Sequence, residues 1–231
     1  MEPSRKGPTA ISRRRQPSRA LCGNVTGRRD QFVVSQTAPP GHLRTLGSER
    51  PARLPLLGEA AEDHHARATA GRLQLLDRFL GEVGALGPKL GCLLVQLPPS
   101  LAYGPQAKRF FASLKNRYAG PIVAEPRHAS WFTHEADSAL ESLRVSRVAA
   151  DPAVVPQAAR PGGWPGLAYF RLHGAPRMYY SAYTDEALRA YATLVRSAAA
   201  SSKSVWCMFD NTTLGAAVPN AIDFLSLINR T

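Results

Sequence analysis

"PIVAEPRHASWFTHEADSALESLRVSRVAAD", residues 121–151, decides the fold. It opens on an apolar run that ends in Glu125, Arg127 and His128. Side chains alternate between the two faces of a strand, so Glu125 and Arg127 point one way while Pro126 and His128 point the other. Thr133 then stands where a helix N-cap is needed, and apolar residues recur at helical spacing through Arg144. "VSRVAAD" follows as a second strand, closed by Asp151. Strand, helix and strand in this order predict a βαβ unit with parallel strands.

The same alternation extends outward in both directions. Upstream, "LQLLDRFLGEVGAL" (73–86) sets Leu73, Leu76, Phe79, Leu80 and Val83 at spacings of three and four, an amphipathic helix. "KLGCLLVQLPPS" (89–100) is a short apolar run stopped by two prolines, as a buried strand would be. "GPQAKRFFASLKNRYAG" (104–120) starts at a Gly-Pro signal and ends at glycine, the pattern of a helix. Downstream come a Pro- and Gly-rich loop (152–166), a strand (167–174), a helix (185–201), a strand (204–211) and a final helix (215–229). Five strands are expected, each ending in polar residues: Gln96; Glu125, Arg127 and His128; Asp151; Arg171 and His173; Asp210 and Asn211. In barrels and doubly wound sheets alike, the C-terminal strand edge is where ligands bind. The charge that ends the first strand therefore reads as the lining of a site.

Residues 1–72 have a different texture. They mix Pro, Gly, Arg and small residues with little periodicity, and "QFVVS" (31–35) is their only strand-like fragment. Such a segment buries too little apolar surface to offset the entropy of ordering its backbone, so disorder is expected. Two further readings stay open: translation from a shifted reading frame, which the Arg-, Pro-, Ala- and Gly-rich composition fits, and a diverged folded segment. The domain organisation is thus 1–72 and 73–231.

The chain carries a formal net charge of +12 over 231 residues. Residues 1–72 hold 13 Lys or Arg against 6 Asp or Glu, so this third of the chain carries more than half of the excess. A basic tail binds polyanions weakly and loses that affinity as salt rises. No helix-turn-helix, zinc or RNA-binding motif accompanies it, so specific nucleic-acid recognition is not expected. Cys22, Cys92 and Cys207 are odd in number and far apart, which implies neither a disulfide framework nor a zinc site and fits a reducing cytoplasm. No apolar run approaches the roughly 20 residues that span a bilayer.

"QLPPS" (96–100), "EPRHASW" (125–131), "RLHG" (171–174) with "YYS" (179–181), and "FDN" (209–211) with the Gly215, Ala217, Asn220 and Ala221 that follow it, resemble the YecE-like proteins, the family called domain of unknown function 72. The resemblance runs from about residue 73 to 229. It implies an α/β fold like a TIM barrel of eight strands, of which this chain carries the last five. The family's opening motifs, a Gly-rich "GT.GW" turn, "E.N..FY" and a lysine before a Pro and Thr-His stretch, are absent from residues 1–72. An incomplete barrel of this kind has two raw edges, and marginal stability or compensation by a partner is expected of it.

The resemblance supplies a fold and a pocket but no reaction, so the roles below are argued from side-chain chemistry. Glu125, His128 and His173 are the candidates for proton transfer, since histidine titrates near neutral pH. Gln96, Arg127, Asp151, Arg171, Asp210 and Asn211 are the candidates for ligand binding, with arginine suited to the two parallel hydrogen bonds of a carboxylate or phosphate. Trp131, Tyr179 and Tyr180 are candidates for stacking on a sugar or base. The acidic and histidine residues match no recognised ligand set, so no metal is assigned; the sequence names no cofactor. Two function classes follow: an enzyme acting on a small anionic or sugar-like compound, and a non-catalytic binding module or inactive remnant of a disrupted gene.

Overall fold

The computed structural model describes residues 74–229 and a two-residue strand, Val25–Thr26. Apart from Val25–Thr26, residues 1–72, with their expected disorder, the "QFVVS" fragment and the basic tail, lie outside the described residues. Val25–Thr26 (β1) pairs antiparallel with the last strand, Val25 opposite Val205, a pairing that nothing in the local sequence announces.

From residue 74 the elements follow the predicted order. A helix over 74–84 (α1) leads to β2 (Leu93–Gln96), α2 (Pro105–Arg117), β3 (Ile122–Glu125) and α3 (His134–Ser142). Next come β4 (Val145–Arg147), β5 (Ala149–Asp151), β6 (Gly162–Gly163), β7 (Leu167–Leu172), α4 (Asp185–Ser201), β8 (Ser204–Phe209) and α5 (Ala217–Asn229). Threonines start two of the helices: Thr133 Oγ1 accepts from the Ala136 N–H at 3.2 Å and Thr184 Oγ1 from the Ala187 N–H at 3.3 Å. Acidic residues in both first turns complement the helix dipole.

The strands form two four-stranded sheets, ordered β2-β3-β4-β6 and β1-β8-β7-β5. The single strand expected over 145–151 is interrupted at Val148: β4 runs parallel to β3, and β5 runs parallel to β7. Only the Val148 N–H, donating to the Ala124 carbonyl at 2.9 Å, lies between the two halves. One short run of chain thereby belongs to both sheets. Among the described residues the strands do not close into a barrel.

The loop expected over 152–166 holds more structure than its composition suggests. It carries a 3-10 turn (Pro156–Ala159) and β6, which pairs antiparallel with β4. Gly163 sits at φ 62°, where a Cβ would come within 2.6 Å of the Val145 carbonyl, so only glycine lets the strands approach here.

Alternation along each strand sorts the core. Leu93, Ile122, Ala124 and Val145 face the side covered by α1, α2 and α3, in one cluster with Leu76, Phe111, Leu114 and Leu140. Ala168, Phe170, Leu172, Val205, Cys207 and Phe209 face α4 and α5, packed with Leu188, Val195 and Phe224. The opposite parity, Leu94, Val123, Val148, Ala150, Leu167, Tyr169, Trp206 and Met208, forms a third apolar cluster. Two steps further along four of these strands, on the same face, stand Gln96, Glu125, Arg171 and Asp210.

Candidate functional site

At that edge the polar side chains meet. Register sets Gln96 beside Glu125, and Arg171 beside Ala150 and Met208. Arg171 reaches across: Nη1 donates to Glu125 Oε2 at 2.6 Å and to Gln96 Oε1 at 2.9 Å, and Nη2 donates to Asp210 Oδ2 at 2.7 Å. His173, two residues on, places Nδ1 3.0 Å from Asp210 Oδ2 and Nε2 2.9 Å from Glu125 Oε1. Arg127 closes the group, its Nη2 in contact with Glu125 Oε1 and 2.7 Å from His173 Nε2.

The cluster is buried yet charge-balanced. The side chains of Glu125 and His173 are 1% and 0% exposed, and those of Arg127, Arg171 and Asp210 are 8–9% exposed. Two carboxylates face two guanidiniums. Burial works against ionisation of Glu125, but the His173 hydrogen bond and the charges of Arg171 and Arg127 outweigh it and hold the carboxyl below its ordinary range. Burial likewise disfavours the Arg171 charge, and Glu125 and Asp210 more than compensate. Tyr169, just beneath on the same face, has its phenol pushed well up, mainly by burial.

Nε2 of His173 has two partners of opposite demand. A guanidinium only donates and an ionised carboxylate only accepts. A proton on Nε2 therefore points at Glu125, while a bare Nε2 accepts from Arg127. Nδ1 faces the Asp210 carboxylate, which only accepts, so the neutral ring keeps its proton on Nδ1 and its bare Nε2 accepts from Arg127; a proton on Nε2 would be the second on the ring.

Three expected site residues stand elsewhere, and strand parity is the reason. Asp151 shares the face of Ala149, not Ala150, and its Oδ2 accepts from the Tyr183 hydroxyl at 2.6 Å. Asn211 follows the parity of Phe209; its Nδ2 donates to the Ser181 carbonyl at 3.0 Å and to Asn220 Oδ1 at 2.9 Å. His128, past the end of β3, caps a 3-10 turn: its Nδ1 accepts from the Ser130 N–H at 3.2 Å and contacts Ser130 Oγ at 2.8 Å. It makes no hydrogen bond to Glu125 or His173. Trp131 is fully buried, donating from Nε1 to the Leu101 carbonyl at 2.9 Å, and is a core residue. Among the described residues no group of three His, Cys, Asp or Glu is placed to hold a metal ion.

Asp151 and Asn211 belong to a second network, under the loop that follows β7. The Gly174 N–H donates to the Tyr183 hydroxyl at 2.8 Å. Asn220 accepts from the Tyr183 N–H at 2.8 Å and donates to its carbonyl at 3.1 Å. Gly174, at φ 92°, leaves no room for a side chain, since a Cβ would lie 2.7 Å from the Ser181 carbonyl. Tyr183 was not a candidate from sequence. The signal for it was indirect: a carboxylate at the end of a buried strand, on the face away from the arginines, needs some other donor.

A family model described as "Protein of unknown function DUF72" matches residues 60–231. The chain belongs to the DUF72 family. No curated protein matches it. Among solved structures, a DUF72 family protein from Thermotoga maritima is similar at 22% identity with a TM-score of 0.58, over 67% of this chain and 65% of that one. A DUF72 family protein from Enterococcus faecalis is similar in two crystal structures. One gives 19% identity and a TM-score of 0.59 over 69% of this chain and 66% of that one; the other gives 21% and 0.56 over 68% of each. These likenesses are likenesses of fold. The DUF72 chain described here spans about two thirds of the length of these relatives. None of its described helices is long and apolar enough to cross a membrane.

Proposed function

We propose that the strand-end cluster binds a small anionic or sugar-like molecule and moves a proton through Glu125 and His173. The observation that carries this reading is the double environment of His173 Nε2, between an acceptor at 2.9 Å and a donor at 2.7 Å. A general acid or base needs a proton position that can be filled or emptied at low cost. Arg127 takes the anion and Asp210 orients the imidazole through Nδ1. Arg171, whose hydrogen bonds go to Glu125, Gln96 and Asp210, is a positioning residue. His128, Asp151 and Asn211 have no part in the chemistry.

In the same reading β2, β3, the β4–β5 run, β7 and β8 correspond to five consecutive staves of an eight-stranded TIM-barrel-like fold. Supporting it are the parallel register, the helices on one side and the polar groups at the C-terminal strand ends. A cytoplasmic location and weak, salt-sensitive polyanion binding by the basic N-terminal segment belong to it too. A second reading, a binding module without catalysis, is favoured by one observation: the carboxylates and guanidiniums of the cluster already neutralise one another.

Thermal unfolding of the full chain against a panel of sugar phosphates and organic acids tests the proposal. At least one compound is expected to raise the transition. Arg127→Met should abolish that shift, and Glu125→Gln should keep binding while stopping turnover of the same compound. Binding without turnover in the wild type would select the non-catalytic module. A cooperative transition that no compound moves would overturn both.

A further inference from the structure

Tyr179 stands against the His173 imidazole at the edge of this site. Its φ is 69°, in the left-handed region that side chains with a Cβ rarely adopt. The backbone is held there on both sides: its N–H donates to the His173 carbonyl at 2.6 Å, and its carbonyl accepts from the Thr213 N–H at 3.1 Å. The next turn is clamped as well, with the Ser181 N–H donating to the Arg177 carbonyl at 2.9 Å and the Ser181 carbonyl accepting from Asn211. A glycine would take this backbone without strain. The aromatic ring is not core filling either, since Tyr179 is 37% exposed. What the strained backbone achieves is to stand the ring perpendicular to His173, at 88° with centroids 5.4 Å apart.

Arg127 flanks His173 from another direction. Its hydrogen bonds leave from Nη2; Nε and Nη1 make none among the described residues. Nε and Nη1 lie on different edges of the guanidinium, so each offers its own single hydrogen bond to an oxyanion beside the imidazole. Of the other aromatic candidates, Trp131 is buried, and Tyr180 lies against the Arg177 guanidinium, 3.7 Å from its ring centroid. Tyr179 is the one left to meet a ligand.

Building on the binding reading above, we propose that Tyr179 is a ring-binding wall of the site and that its ligand is an oxyanion carried on a ring, a sugar phosphate or a sugar acid. The oxyanion engages Arg127 while one face of the ring lies on Tyr179. Strained residues held by their surroundings concentrate at ligand clamps, and aromatic side chains offer apolar faces to rings.

Calorimetric titration of the full chain with inorganic phosphate, acetate, glucose 6-phosphate and glucuronate tests this. In the wild type the ringed member of one pair should bind roughly 3- to 10-fold tighter than its ringless counterpart. Whether that pair is the phosphates or the carboxylates identifies the anion. Tyr179→Ala should bring the ratio to about one, with the ringless affinity unchanged; Tyr179→Gly, which relieves the backbone, should do the same, and Tyr179→Phe should keep the ratio. A ring advantage that survives Tyr179→Ala, or phosphate and acetate binding with no ring advantage, overturns the inference and leaves the site reading standing. Wild-type chain that unfolds cooperatively and binds none of the four overturns both.

Discussion

Replacing Arg171 by alanine is the most informative perturbation of the cluster. It removes three hydrogen bonds, to Gln96, Glu125 and Asp210, and leaves two carboxylates that are 1% and 8% exposed without their shared cation. Breaking a buried pair by deleting one partner costs roughly 3–5 kcal/mol, because the remaining charge stays in a poor solvent. For a chain of this size that lowers Tm by about 6–20 °C. The pH dependence follows from Glu125. Its carboxyl is held below the ordinary range despite burial, so in the wild type its contribution is present above the unfolded value of about 4.3 and is lost as pH falls through the folded one. Without Arg171, burial regains weight and the Glu125 pKa rises. Protonation then relieves the stranded charge, so the deficit of the variant shrinks as pH is lowered from 7 toward 5. Urea unfolding at both pH values measures this, and Arg171→Ala combined with Glu125→Gln should recover part of the loss at pH 7. A deficit below about 1 kcal/mol at pH 7, the range of a solvated pair, would refute the closed network. So would a deficit that widens on acidification.

Two further predictions concern the second network. Tyr183→Phe removes the hydroxyl that donates to Asp151 and accepts from Gly174, and should cost about 1–3 kcal/mol in urea unfolding; unchanged stability would mean that water replaces it. Gly174→Ala forces a Cβ to within 2.7 Å of the Ser181 carbonyl at φ 92° and should cost at least about 1 kcal/mol, with Tyr179 losing its fixed place over His173. The absence of any change would show that the 174–183 loop shifts freely.

The helices and parallel strands from residue 74 onward were legible because their signals are local. Thr133 followed by apolar residues at helical spacing, and the short apolar run "IVA" buried along its whole length, fix an element whatever surrounds it. Position at the C-terminal strand ends singled out Gln96, Glu125, Arg171, His173 and Asp210, and alternation put Glu125 and Arg127 on one face. The same rule, applied strictly, separates Asp151 and Asn211 from them; grouping every strand-end polar residue in one mouth ignored it. Three features depend on distant partners and leave no local trace: the change of sheet at Val148, the pairing of Val25–Thr26 with β8, and the antiparallel use of Gly162–Gly163. Tyr183 gave no local signal for the same reason, since its partners lie at the ends of β5 and β7 and in α5.

The hydrogen bonds of Arg171 link it to residues 75, 46 and 39 positions away in the chain. Closing loops of that length is the slow part of building a sheet, and it must be complete before these groups meet. A molecule able to bind at the cluster is therefore one whose four contributing strands have already assembled in register. Ligand affinity becomes a report on the topology, and occupancy in turn shifts the population toward the assembled state by mass action. The polar strand ends thus work as a latch between segments far apart in the chain, and a small molecule bound there, as proposed above, would set how firmly the latch is shut.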